Sequence, residues 1–166
     1  MPVDTAKPGQ IVTFYSYKGG TGRSMAVANF AYWLARELPG LRRGVLVMDW
    51  DLEAPGLHRF FAEVSESGEN SDRPGVVNYF HEIQERLRAD PALYARIEED
   101  EEGWRVLGEA FPLDEYLVRN VFEGVDFVKA GRYNAGYAEL ISGFNWVTFY
   151  EEHGAVLRAL ADAAAD

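Results

Sequence analysis

The chain of 166 residues contains no cysteine, which excludes a disulfide framework, a thiolate metal site and a thiol nucleophile. Basic residues are scarce: 16 Lys and Arg stand against 27 Asp and Glu, a formal net charge of -11 at pH 7. A surface of that sign has no broad electrostatic grip on DNA or on an anionic membrane, although a local basic spot can still hold a phosphate. Long apolar runs are also missing. The longest uncharged stretch, Ser24 to Ala35, falls well short of the ~20 residues that cross a bilayer. The opening Met1-Pro2-Val3-Asp4-Thr5-Ala6-Lys7-Pro8 has no apolar segment of the signal-peptide kind. His58, His81 and His153 lie far apart, with no spacing suited to a metal, and are expected to be surface or satisfied histidines. No glutamate has an evident acid/base partner of the glycosidase type.

What is present is 48% hydrophobic and 14% aromatic, enough for one domain that buries about 70% of the surface of its unfolded chain. No repeat or low-complexity linker divides it. The expectation is a single acidic, cytoplasmic domain over residues 1–166.

Gln10 to Tyr17, with the β-branched and aromatic run Ile11-Val12-Thr13-Phe14-Tyr15, reads as a strand entering a glycine cluster. Ser24 to Leu38 reads as a helix that is apolar on nearly every face and therefore buried. Gly44 to Asp49 is a continuous apolar run, as in a parallel strand covered on both faces. Together these make a βαβ unit with a right-handed crossover, and the fold class is α/β with a mostly parallel sheet flanked by helices. Further on, the pattern predicts a short helix over Leu57 to Glu63, a loop over Ser65 to Pro74 and a helix over Val76 to Arg88. The acidic run Glu98 to Glu102 reads as a solvated turn. Trp104 to Leu107 reads as a short edge strand and Leu113 to Phe122 as a helix. Val125 to Lys129 is a strand closed by Ala130-Gly131, and helix follows beyond Tyr137 to about Ala165. Phe144, Trp146, Phe149 and Tyr150 fall at helical spacing as core contacts.

The most informative string is Tyr17-Lys18-Gly19-Gly20-Thr21-Gly22-Arg23-Ser24. Its glycines let successive backbone N–H groups point inward and form a nest for anionic oxygens. The helix that starts behind it adds the positive end of its dipole at the same point. Ser24 stands where a hydroxyl ligates Mg²⁺ between phosphates. The plain pattern G-x-x-x-x-G-K-[ST] is not met, because Tyr17 and Arg23 replace its first Gly and its Lys. A second string, Asp49-Trp50-Asp51-Leu52-Glu53-Ala54-Pro55-Gly56-Leu57, follows the apolar run of residues 44–49. Its carboxylates therefore emerge at the binding edge of an open parallel sheet. The plainer alternative has one aspartate capping the helix near Leu57 and the other solvated.

The first string resembles the deviant Walker A motif, K-G-G-x-G-K-[ST], of the MinD/ParA family (CobQ/CobB/MinD/ParA nucleotide-binding) of P-loop ATPases. Lys18, Gly19, Gly20, Gly22 and Ser24 match, and Arg23 departs. The second string resembles the family's D-x-D first switch, and Val125 to Gly131 its apolar strand ending in Ala-Gly. The resemblance implies a P-loop NTPase-type fold and ATP bound with Mg²⁺ between two subunits of a homodimer that meet at the nucleotide face. It also implies roles. Lys18 reaches the partner's phosphates and Arg23 holds those of its own subunit, cradled by the amides of Gly19, Gly20, Thr21, Gly22 and Ser24. Ser24 and Asp49 serve Mg²⁺ and its waters, and Asp51 orients the attacking water. Arg in place of Lys keeps the charge on a longer, planar fork, so binding survives while hydrolysis slows.

The resemblance covers nearly all of this chain and about the first two-thirds of the family's domain. In the family, a strand ending in aspartate and a glycine-containing switch follow, and that strand lies beside the one preceding the turn. Ile11 to Ser16 is therefore expected to expose unpaired backbone groups, as the N-terminal part of a domain that folds poorly or self-associates alone. ATP binding is the expectation for this chain, with hydrolysis once the domain is complete. The alternatives are a non-hydrolysing regulatory or adaptor module that recruits a protein partner, and a truncated remnant. No direct contact with nucleic acid or membrane is expected from this segment.

Overall fold

The structure, a computed structural model, describes residues 9–37, 44–61 and 72–165. Its strands are β1 (Val45–Met48), β2 (Leu117–Phe122) and β3 (Val125–Val128), in the spatial order β1-β3-β2. β1 runs parallel to β3, with Val45 opposite Val125 and Met48 opposite Val128. β2 and β3 form an antiparallel hairpin. Gly124, at φ 77°, supplies the left-handed residue that its turn requires. Among the described residues the α-helices are α1 (Arg23–Glu37), α2 (Val76–Ala89), α3 (Pro91–Glu99), α4 (Gly103–Ala110), α5 (Tyr137–Gly143) and α6 (Trp146–Ala165). Short 3₁₀ turns cover Leu57–Phe60 and Leu113–Glu115. Among the described residues no helix is long and apolar enough to cross a membrane.

The alternation of side chains along a strand splits the core in two. Val47, Val125 and Phe127 pack with Ala28 and Ala31 of α1 and with Leu57 and Phe61. Met48, Val128 and Leu117 belong to the larger core, which is built on α2, α4 and α6. Along α2 the buried residues Val76, Phe80, Ile83 and Leu87 recur at the helical period, and Phe80 meets Phe149 of α6 at a ring separation of 5.4 Å. Phe80 and Phe149 are fully buried, each contributing roughly 1.5–3 kcal/mol by leaving water.

The α/β class, α2, β3 and the helices beyond Tyr137 agree with the sequence reading, as does the exposed turn within Glu98 to Glu102. Several elements differ. The sheet is mixed rather than mostly parallel, with one parallel and one antiparallel pair. Gln10 to Tyr17 joins no sheet, and among the described residues no strand pairs with the free side of β1. β-propensity alone supplies no ladder partner, so the expected βαβ unit does not form. Ile11, Val12 and Tyr15 are exposed outside any strand, so the open strand edge expected of Ile11 to Ser16 is not formed.

α1 is not the buried helix expected: only Ala28 and Ala31 are buried, and Met25, Tyr32 and Trp33 face solvent. β1 is covered along one face by Val45 and Val47, while on the other Met48 packs on the larger core and Leu46 is 44% exposed. Trp104 to Leu107 is helical, inside α4, whose buried Gly103, Val106 and Leu107 follow helical spacing. Leu113 to Phe122 is a 3₁₀ turn followed by β2, because Val118 and Phe122 find partners on β3. The short helix after Leu57 is a 3₁₀ turn ending at Phe60, and Leu38, residues 62–63 and most of the loop before Pro74 fall outside the described residues. Of the four late aromatics, Phe144 and Phe149 are buried, Trp146 packs against both, and Tyr150 is 66% exposed.

Candidate functional site

The glycine-rich turn sits at the start of α1 and is open to solvent. Gly20 and Gly22 take φ values of 71° and 81°, which only glycine adopts without strain. Ser16 closes the turn on itself. Its hydroxyl donates to the Lys18 carbonyl at 2.9 Å, accepts the Lys18 amide at 3.3 Å and lies 3.1 Å from the Thr21 hydroxyl. Helix α1 opens at Arg23, with Ala26 N–H donating to the Gly22 carbonyl at 2.9 Å. Among the described residues the amides of Gly19 to Ser24 have no hydrogen-bond partner, and the first turn of α1 carries no acidic residue. Open amides, a helix start and no local carboxylate in that turn are the electrostatics of an anion site. Lys18 is exposed, and among the described residues its ammonium makes no ion pair.

The second string leaves the C-terminal end of β1, where Asp49 N–H still donates to the Val128 carbonyl at 2.9 Å. Asp49 is 4% exposed, and its two carboxylate oxygens accept the amides of Asp51 at 3.1 Å and Leu57 at 3.2 Å. Burial pushes its pKa up to about 6, against the pull of those two amides. Leu57 opens the 3₁₀ turn, so Asp49 fills the capping role that the sequence left as the plainer alternative. Asp51 is only partly exposed and is engaged by the protein. One of its oxygens accepts the Ala54 amide at 3.4 Å, and the other forms an ion pair with the Arg23 guanidinium. Arg23 also donates to the Ser16 carbonyl at 3.1 Å. Arg23 thereby ties the turn, the helix start and the loop after β1 together. A Cβ at Gly56 would lie 3.9 Å from the Ser24 hydroxyl, so the far end of the loop rests against the same helix start.

Around this loop lie four further side chains, with His58 and Lys129 buried and Tyr133 and Tyr137 half-buried. Tyr137, from α5, donates to the Leu52 carbonyl at 2.8 Å. Burial and the charges of Asp49 and Asp51 raise its pKa to about 12. The Tyr133 ring lies tilted against His58 at a ring separation of 4.7 Å, and Lys129, fully buried after β3, lies 5.0 Å from the Tyr133 ring. Burial lowers the Lys129 pKa to about 8. The signal for these residues was positional: residues that follow β3 must share the sheet edge that carries Asp49. His153 is buried on α6 against Phe149 and Tyr94, far along the chain from this loop, and His81 is exposed.

The expected magnesium partners are Ser24 and Asp49. Among the described residues no three His, Cys, Asp or Glu side chains cluster as a metal site, and a magnesium ion that keeps most of its waters does not need such a cluster. The Ser24 hydroxyl is half-buried at the helix start and fits a ligand role. Asp49, with one lone pair on each oxygen already committed, fits contact through a hydrating water.

A cavity of about 180 Å³ opens elsewhere, beneath α1 between Ala28, Tyr32, Phe60 and Phe122, and it includes none of the expected site residues. No protein-family model, curated protein or solved structure matches the chain.

Proposed function

We propose that the chain is an ATP-binding module of the MinD/ParA type, a nucleotide-dependent dimerisation switch. The observation that carries the reading is the open row of amides from Gly19 to Ser24, curved by two left-handed glycines and flanked by Arg23. The amides of such a row have no competing partner to give up to a phosphate chain. In this reading Arg23 and the amides hold the phosphates, and the exposed Lys18 is free to reach a second subunit. Bound magnesium supplies charge neutralisation on the phosphate oxygens. Ser24 would hold it and Asp49 would order its waters. Asp51 would turn a water toward the terminal phosphate, a task of positioning more than of proton affinity.

A non-hydrolysing regulatory or adaptor module is the second reading, and the Arg23–Asp51 ion pair favours it. A carboxylate engaged by arginine is a poorer water-orienting group. Displacement of a fluorescent ATP analogue by Mg-ATP tests binding, and phosphate release tests turnover. Turnover abolished by Asp51→Ala supports the ATPase. Tight binding without turnover supports the adaptor.

A further inference from the structure

The same guanidinium that would hold phosphate is already occupied. Arg23, at the first residue of α1, points one Nη at the Ser16 carbonyl, 3.1 Å away, and the other at the Asp51 carboxylate. Both side chains are 28% exposed, so the pair is only partly screened by water. A guanidinium presents its donors as a planar fork, and a carboxylate and a phosphate compete for the same edge of it. Asp51 belongs to the loop after β1, held at its two ends by Asp49 on the Leu57 amide and in its middle by Tyr137 on the Leu52 carbonyl. It does not belong to the glycine-rich turn.

We propose that the Arg23–Asp51 pair is a latch. With no phosphate present it closes the turn against the loop, and phosphate entry exchanges the carboxylate for phosphate oxygens on Arg23 and frees Asp51. The inference rests on the reading of the turn as a phosphate site and adds its regulation. Two consequences follow. The closed latch lowers apparent affinity by the fraction of molecules in which it is open. By reciprocity, whatever holds the loop away from Arg23 tightens phosphate binding by the same factor with which phosphate releases the loop.

Titration calorimetry with inorganic tripolyphosphate and magnesium tests this on three proteins: the unaltered chain, Asp51→Asn and Glu53→Gln. Asp51→Asn keeps an oxygen for the Ala54 amide and removes the charge that holds Arg23. Glu53→Gln removes the same charge two residues on, where the side chain makes no ion pair among the described residues. The latch predicts that Asp51→Asn binds at least about fivefold tighter than the unaltered chain, with Glu53→Gln changing affinity less than about twofold. An unaltered chain with no measurable binding beside an Asp51→Asn variant that binds gives the same support. Equal tightening by both variants reduces the effect to general charge and overturns the latch, as does an Asp51→Asn affinity equal to or weaker than that of the unaltered chain. If none of the three proteins binds, the phosphate-site reading itself fails.

Discussion

Asp49 reaches eight residues along the chain to accept the amide of Leu57 at 3.2 Å, and its other oxygen accepts the amide of Asp51 at 3.1 Å. One buried carboxylate thus fixes both ends of the loop that carries Asp51. Asp49→Ala leaves two amides without acceptors and relieves the cost of burying a charge. The net loss is about 1–2 kcal/mol of stability. Urea denaturation followed by circular dichroism would detect it, with Asp49→Asn falling between. An unchanged midpoint for Asp49→Ala would show that the loop is held by other contacts.

Gly22 separates conformation from packing. A Cβ there would meet nothing within 4 Å, yet its φ of 81° is strained for any other residue. Because the turn is exposed, Gly22→Ala can relax out of the left-handed region in the free protein, leaving the thermal midpoint within a degree or two. Nucleotide restores that conformation, so binding weakens about tenfold, the effect of roughly 1–2 kcal/mol of left-handed strain. Competition binding beside a melting curve measures both. Loss of stability with unchanged affinity would contradict the assigned role of the turn.

Lys129 gives a pH signature. Burial holds its folded pKa near 8, below the ordinary 10.5, so between those values the unfolded chain binds more protons than the folded one. Stability therefore rises with pH through that window, and the full penalty is present below it. Compared with Lys129→Met, the unaltered protein should gain up to about 3 kcal/mol of unfolding free energy between pH 7 and pH 10.5. Denaturation of both proteins at the two pH values measures the difference. Parallel pH profiles would show that Lys129 titrates normally.

Among the described residues nothing pairs with the side of β1 away from β3, and Leu46 is exposed beside it. Exposed apolar edges pair with other chains unless a charge interrupts them. Sedimentation should show concentration-dependent self-association that Leu46→Lys reduces. Association of equal strength in Leu46→Lys would move the contact elsewhere.

The legible parts of the fold were those fixed by their own periodicity. Val76, Phe80, Ile83 and Leu87 declare α2 wherever the chain goes. The misread parts depend on partners. Leu117 to Phe122 suits helix or strand until β3 lies alongside, and Ile11 to Tyr15 has strand chemistry with no strand beside it among the described residues. α3 carries a local start signal of its own: Asp90 accepts the Leu93 amide at 3.2 Å and Pro91 opens the helix, a capping signature carried by consecutive residues. In the site, glycine spacing revealed the turn, because left-handed residues need glycine whatever surrounds them. The pairing of Arg23 with Asp51 was not visible, since 28 residues separate them and only the tertiary fold brings them together.

The most direct measurement is isothermal titration of the folded chain with Mg-ATP and, separately, with AMP. A site built from backbone amides and one guanidinium reads the phosphate chain, so saturable heat with ATP and none with AMP is the expected result. A chain that melts cooperatively and gives no heat with ATP would contradict the account.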